Sequence, residues 1–162
     1  MEVLKKFNEM LYKAVKGISI LMLAIMIILC LVQVFYRYIL QLPLSFSEEL
    51  ARFIFIWITF LGTAMALKKH KHVKMELLVQ TFPVKIQVLI KKIIFGVSIL
   101  TYLLMIYSGF LVVNKTMIQT SAALKVPMGL IYLAVPLSGI LMLLFEVDNF
   151  LQMYSKIKGE RN

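Results

Sequence analysis

Long apolar runs alternate with short polar segments through the whole chain, and four of these runs are long enough to cross a bilayer. The predicted spans cover residues 18–36, 47–67, 93–113 and 127–145. A spanning helix needs about 20 mostly apolar residues, because the hydrocarbon core of a membrane is about 30 Å thick. The pattern therefore predicts an all-α integral membrane protein in which residues 1–162 form a single four-helix domain.

The polar segments between the runs predict two further features. Residues 1–16 place apolar side chains on one helical face and lysines elsewhere, which is typical of an amphipathic helix on the membrane surface. A plain N-terminal extension of the first span fits equally well. The lysine-rich loop of residues 68–92 contains a short apolar stretch, Met75 to Phe82, which predicts a second interfacial segment. Pro136 is expected to kink the fourth span, since proline removes a backbone hydrogen bond.

Composition supports the membrane assignment. The chain is 61% hydrophobic, whereas soluble domains are typically about 45–50% apolar. The formal net charge of +10 would suggest nucleic-acid binding in a soluble protein. Here the positive charges lie in clusters beside the apolar runs, as topology signals do. We therefore expect a membrane lipid environment and no nucleic-acid partner.

The distribution of Lys and Arg predicts the orientation of the chain. Fourteen of these residues lie on the side of the two termini and the 68–92 loop, and four lie on the other side. By the positive-inside rule, both termini face the cytoplasm and the segment from Arg37 to Glu49 faces outward.

The corner between the first two spans holds clustered charges and is the candidate site. Glu48 and Arg52 are one helical turn apart, with the acid before the base, which is the favourable order. Arg37, at the end of the preceding helix, can meet Glu48 or Glu49 across the turn. Two interpretations are open: an internal clamp between the first two spans, or charges that contact a partner.

Two residues of the second span are further interface candidates. Trp57 lies near the middle of the span, where a helix–helix contact is favoured over an interfacial role. Gly62 and Ala66 have the small-xxx-small spacing that lets helices approach closely, as do Ala134 and Ser138 in the fourth span.

The residue types that catalysis or metal binding needs do not cluster in the sequence. Cys30 is the single cysteine, and His70 and His72 lie in a lysine-rich loop. Every Asp and Glu lies at or near the end of an apolar run, whereas a stand-alone transporter usually carries an ionisable residue well within a span. We expect no enzymatic activity, no metal and no cofactor, and a companion subunit rather than a transporter acting alone.

Two stretches resemble the small membrane subunit, the DctQ-like family, of tripartite ATP-independent periplasmic (TRAP) transporters. The first contains Arg37-Tyr38, Ser47-Glu48-Glu49-Leu50-Ala51-Arg52, Trp57, Phe60-Leu61-Gly62 and His72-Val73. The second contains Ala122-Ala123-Leu124-Lys125-Val126-Pro127, followed by Pro136. Together with the length and the four spans, the resemblance covers nearly the whole chain.

The resemblance implies a role in import across the bacterial inner membrane. In such systems a periplasmic substrate-binding protein captures an organic anion, such as a C4-dicarboxylate or sialic acid. A large multi-span transport subunit then moves the anion inward with a sodium gradient. The small subunit is a scaffold that braces the large one and helps to dock the binding protein. The alternative hypothesis is a self-sufficient carrier or channel that acts as a homo-oligomer.

Overall fold

Helices make up nearly all of the chain that the computed structural model describes, namely residues 2–42, 44–69 and 84–159. They are α1 (Glu2–Phe35), which continues into a π-helical turn (Tyr36–Leu40), α2 (Ser45–Lys69), α3 (Val84–Thr116), α4 (Met128–Tyr132) and α5 (Ala134–Gly159). Four segments are long and apolar enough to cross a membrane: Lys6–Leu40, Ser45–Lys69, Leu89–Thr116 and Met128–Leu151. The predicted all-α fold with four spanning helices is confirmed.

The N-terminal segment is a continuous extension of the first span. Helix α1 runs from Glu2 to Phe35, and Asn8, Val15 and Ser19 are buried on one of its faces. The segment is therefore continuous with the first span, as the second interpretation of residues 1–16 expects. Protein covers the face of Asn8 and Val15, whereas Phe7, on the predicted apolar face, is 48% exposed. The predicted interfacial segment from Met75 to Phe82 lies outside the described residues.

The spanning helices form an open layer in the spatial order α1, α2, α5, α3. Helices α2 and α5 lie in the centre, and α1 and α3 lie at the two edges. Burial is greatest in the fourth span, where 44% of the most apolar stretch is buried, and least in the first span, where 6% is buried; the second and third spans have 17% each. Most of the surface of α1 is therefore open to lipid or to another membrane protein.

The contact between α3 and α5 depends on two glycines. A Cβ atom on Gly109 would lie 2.8 Å from Cδ of Pro136, and one on Gly139 would lie 3.0 Å from Cγ1 of Ile106. The absence of both atoms lets the helices approach closely. Ala134 is also fully buried, like Ser138 one turn further on. The small-xxx-small pair of the fourth span therefore serves packing within the chain.

The fourth span is interrupted one turn before Pro136. Helix α4 ends at Tyr132 and α5 begins at Ala134. Pro136 has no N–H group to donate to the carbonyl oxygen of Tyr132, so the helical hydrogen bond across this point is missing. The break at Leu133 lies beside Pro136, where the sequence predicts a kink, and the apolar helical segment of the fourth span covers Met128–Leu151.

The substitution Gly109→Ala is expected to lower the free energy of unfolding by about 1–3 kcal/mol, because it adds a methyl group to a closely packed contact. Thermal unfolding in detergent, followed by circular dichroism, measures the change. Gly96→Ala is the matched control on the same helix, since nothing lies within 4 Å of its Cβ position. An equal loss in both variants would contradict the role given to Gly109.

Candidate functional site at the loop end

The candidate site lies at one end of the helix layer. Residues 36–49 and 117–127 form this end, which is here called the loop end. The π-helical turn closes at Gln41, which adopts a left-handed conformation with a φ of 55°. Helix α2 begins four residues later, at Ser45. This short connection brings Arg37 and Glu48 to the walls of one cleft.

Glu49 binds the loop of residues 117–127, which joins α3 to α4. Its carboxylate accepts hydrogen bonds from the backbone N–H groups of Ala122 at 3.1 Å, Ala123 at 2.9 Å and Leu124 at 2.7 Å. Hydrogen bonds to an ionised group are roughly twice as strong as those between neutral groups. Successive backbone N–H groups also form a natural anion-binding concavity. Glu49 therefore ties the first turn of α2 to the connection between the third and fourth spans.

The 117–127 loop is itself closed by backbone hydrogen bonds. The N–H of Ser121 donates to the carbonyl oxygen of Val126 at 2.9 Å, and the N–H of Met128 donates to that of Gln119 at 2.8 Å. The buried Ser121 hydroxyl accepts a hydrogen bond from the N–H of Val126 at 3.2 Å. Lys125 adopts a positive φ of 55°, which turns the chain back. The loop thus presents a defined set of N–H groups to Glu49.

The expected ion pairs at this corner are not formed. No ion pair within 4 Å joins Arg37 or Arg52 to Glu48 or Glu49, all of which the structure describes. Successive residues of an α-helix are rotated by roughly 100°, so the two glutamates point to different sides of α2. Glu48 faces the cleft beside Arg37, and Glu49 faces the loop.

The cleft between the end of α1 and the start of α2 has a volume of about 670 Å³. Its lining residues are Gln33, Val34, Arg37, Tyr38, Gln41, Leu44 and Glu48. The amide nitrogen Nε2 of Gln33 is buried and has no hydrogen-bond partner among the described residues. The cleft therefore combines one cationic, one anionic and one unsatisfied amide group.

The other predicted residues lie further along α2, on two opposite faces. Ile54 and Leu61 are buried, and the half-buried Trp57 shares their face. Arg52 is exposed on the opposite face, and nothing lies within 4 Å of the Cβ position of Gly62. Trp57 therefore faces the interior of the layer, whereas Arg52 and Gly62 lie on a surface that the other described helices leave open.

This surface is here called the open α2 face, and its residues repeat with helical spacing along the span. Its residues are Arg52, Phe55, Thr59, Gly62, Thr63 and Ala66. The hydroxyl groups of Thr59 and Thr63 each donate a hydrogen bond of 2.8 Å to the backbone carbonyl oxygen four residues earlier. Both hydroxyls are thus satisfied within the helix. The part of the face from Thr59 to Ala66 is therefore a small-residue surface suited to close helix packing, with Phe55 and Arg52 beside it at the loop end.

Two buried asparagines join helices at the opposite end of the layer and were not predicted from the sequence. Nδ2 of Asn8 donates to the carbonyl oxygen of Leu144 at 3.5 Å, and Nδ2 of Asn149 donates to that of Leu67 at 3.3 Å. These contacts connect α1 to α5 and α5 to α2. The available signal was the position of Asn8 within the apolar face of residues 1–16.

Aromatic contacts strengthen the same end. Nζ of Lys68 lies 5.0 Å from the ring centre of Phe145 and 5.8 Å from that of Tyr12, within the range of cation–π attraction. The rings of Phe95 and Phe150 stack with centres 4.0 Å apart, which links α3 to α5. All four spans are therefore joined at this end of the layer.

The described residues contain no group of three or more His, Cys, Asp or Glu side chains that could hold a metal ion. His70 and His72 lie outside the described part of the chain.

The four helices define a multi-pass helical membrane protein whose polar contacts lie near the ends of its spans. The family model for the DctQ component of tripartite ATP-independent periplasmic transporters matches residues 26–156. The chain belongs to this family, and the resemblance to the small TRAP subunit is confirmed. It is a transporter component of a type that works with a large permease subunit.

Individual relatives agree with the family assignment. A putative TRAP transporter small permease protein of Haemophilus influenzae is 30% identical over 145 residues, which cover 85% of this chain and 86% of the relative. The isethionate TRAP transporter permease protein DctMQ of Oleidesulfovibrio alaskensis is 35% identical over 126 residues, which cover 72% of this chain and 20% of the relative. The sialic acid TRAP transporter permease protein SiaT of Haemophilus influenzae is 29% identical over 111 residues, covering 68% and 18%.

Proposed function

We propose that this chain is the small scaffold subunit of a sodium-coupled importer of organic anions in the bacterial inner membrane, where it braces the large transport subunit. The observation that carries this proposal is the open helix layer, which is fastened at both ends. Glu49 ties α2 to the 117–127 loop at one end, and Asn8 and Asn149 join helices at the other. Helices that are joined at both ends and open along their faces suit a subunit that holds its shape against a partner.

The relatives support a large multi-span partner and an anionic substrate. The regions matched in DctMQ and SiaT are only 20% and 18% of longer permease proteins. Their names refer to isethionate and sialic acid, which are both organic anions. We therefore propose an organic anion of this kind, such as sialic acid or a C4-dicarboxylate, as the imported solute. Sodium coupling rests on the family resemblance.

The open α2 face is our proposed contact surface for the large subunit. Its centre at Gly62 has free space around the Cβ position, and its hydroxyl groups are satisfied within the helix. Arg52 lies at the loop end of the same face and can pair with an acidic group of the partner. Small residues and one terminal charge together favour close packing in a defined register.

The loop end is our proposed outer surface, where the periplasmic substrate-binding protein docks. The excess of Lys and Arg at the opposite end supports this orientation. Ile118, in the loop that Glu49 holds, is 90% exposed and offers an apolar contact.

Thiol labelling tests this orientation. In a Cys30→Ser background, Lys125→Cys should react with a membrane-impermeant thiol reagent in intact spheroplasts. Labelling only after the membrane is broken would reverse the orientation.

Purification tests the scaffold assignment. A tagged copy of this chain, extracted in mild detergent from cells that also express the large permease subunit, should recover that subunit in an equimolar amount. The alternative, a self-sufficient carrier or channel, predicts recovery of homo-oligomers of this chain without the large subunit.

A further inference from the structure

The cleft between α1 and α2 at the loop end combines charges of both signs at the edge of the apolar spans. We propose that it binds the headgroup of an aminophospholipid, a zwitterionic lipid that carries a phosphate and a primary ammonium group. The cleft is formed by α1, the π-helical turn and the start of α2 within this one chain. The proposal therefore does not depend on the proposed function.

The two charged walls match the two ends of such a headgroup. Arg37 and Glu48 both line the cleft and form no ion pair with each other. A guanidinium group binds phosphate oxygens through two parallel hydrogen bonds, and a carboxylate accepts hydrogen bonds from a primary ammonium group. An anionic headgroup would leave Glu48 facing like charge, so the pair of walls favours a zwitterionic ligand.

Gln33 lies on the same wall, one helical turn before Arg37. Its Nε2 donor is buried behind the wall and has no partner among the described residues. A buried donor without an acceptor is costly in an apolar environment. A rotation of this side chain that turns Nε2 toward the cleft would let a phosphate or ester oxygen accept its hydrogen bond.

The surroundings of the cleft suit a lipid. Below it, α1 exposes apolar side chains over which acyl chains can lie, including Ile27, Leu31 and Val34, which are 51%, 66% and 55% exposed. Tyr38 is 74% exposed at the rim, where aromatic residues favour the level of the lipid headgroups. The volume of about 670 Å³ lies within the usual range for ligand sites, about 300–1,000 Å³.

Lipid binding to the full-length chain tests this proposal. The protein is purified in detergent and stripped of lipid. Phosphatidylethanolamine, phosphatidylcholine or phosphatidylglycerol is then added in equal amounts, and binding is counted by native mass spectrometry. We expect phosphatidylethanolamine to bind about tenfold tighter than phosphatidylcholine, because the methylated nitrogen of choline has no N–H group to donate to Glu48.

Two variants locate the binding within the cleft. Glu48→Gln should abolish the preference for phosphatidylethanolamine over phosphatidylcholine, and Arg37→Gln should weaken the binding of both about tenfold. The matched controls are Glu9→Gln and Lys115→Gln, which remove exposed charges outside the cleft and should leave the preference unchanged.

Three results would overturn the proposal. They are equal binding of all three lipids, tighter binding of phosphatidylglycerol, and release of phosphatidylethanolamine when the large subunit joins the chain. The last result would assign the cleft to a protein interface. The comparison among lipids uses the unmodified chain, so it holds even if a cleft variant does not fold.

Discussion

The substitution Glu49→Ala is expected to release the 117–127 loop from α2. The carboxylate is the acceptor for three consecutive N–H groups, at Ala122, Ala123 and Leu124. Its removal leaves all three without their partner, so hydrogen exchange at these amides should accelerate by about tenfold or more. Hydrogen–deuterium exchange of the purified protein measures this directly. Because the loop forms part of the proposed outer docking surface, uptake by the assembled transporter should fall as well.

Glu48→Ala is the matched control for this substitution. It removes the neighbouring acid from the same helical turn, but Glu48 lines the cleft and makes no hydrogen bond to the loop. The loop amides should exchange at the same rate as in the unmodified chain. Unchanged exchange in the Glu49 variant, or equal acceleration in both variants, would contradict the assignment of Glu49.

The substitution Gly62→Leu is expected to block assembly while leaving the chain itself folded. Among the described residues outside its own helical turn, nothing lies within 4 Å of the Cβ position, so the new side chain has room there. It would project from the centre of the open α2 face and hold a partner helix away. We expect the amount of large subunit recovered with the tagged chain to fall by roughly tenfold, as an overpacked contact implies.

Gly96→Leu provides the comparison for this variant, since Gly96 also has free space around it but lies on α3, at an edge of the layer. Normal recovery with Leu at 96 and loss with Leu at 62 would identify α2 as the contact helix. The reverse result would move the partner surface to α3.

Arg52→Ala, at the loop end of the open α2 face, should reduce the recovery of the large subunit less than Gly62→Leu does, because exposed charges contribute little.

The four spans were predictable because lipid imposes a simple requirement on sequence. A chain must satisfy its backbone hydrogen bonds inside the membrane, and long apolar helices do so without partners. The spatial order of the helices was not predictable, because hydropathy does not report which helices are neighbours. That order depends on local shape, as where Gly109 meets Pro136, and such a match requires knowledge of the register between two helices.

The start of the first span shows a related limit. Hydropathy rises at about residue 18, yet α1 begins at Glu2. Along this helix Asn8, Val15 and Ser19 are buried against neighbouring helices, and this packing does not need lipid. Hydropathy reports contact with membrane, whereas helix length also reflects contact with protein.

The sequence pointed to the charged corner as the candidate site, and the role of its residues stays a prediction. Glu49 stood out as a rare acid, but its partners are backbone N–H groups 73 to 75 residues away. Every residue except proline has a backbone N–H donor, so such partners leave no signature in the sequence. The rotation along the helix turns Glu49 to the loop and away from Arg37. Glu48 lines the same cleft as Arg37 without forming an ion pair with it.

Uptake into proteoliposomes tests the central claim most directly. Vesicles containing this chain alone, the large permease subunit alone, or both are given an inward sodium gradient. The periplasmic binding protein, loaded with radiolabelled sialic acid, isethionate or succinate, is added outside. The scaffold account predicts accumulation of at least one anion in vesicles with both subunits, and none in vesicles with this chain alone. Accumulation by this chain alone, or the full rate with the large subunit alone, would contradict it.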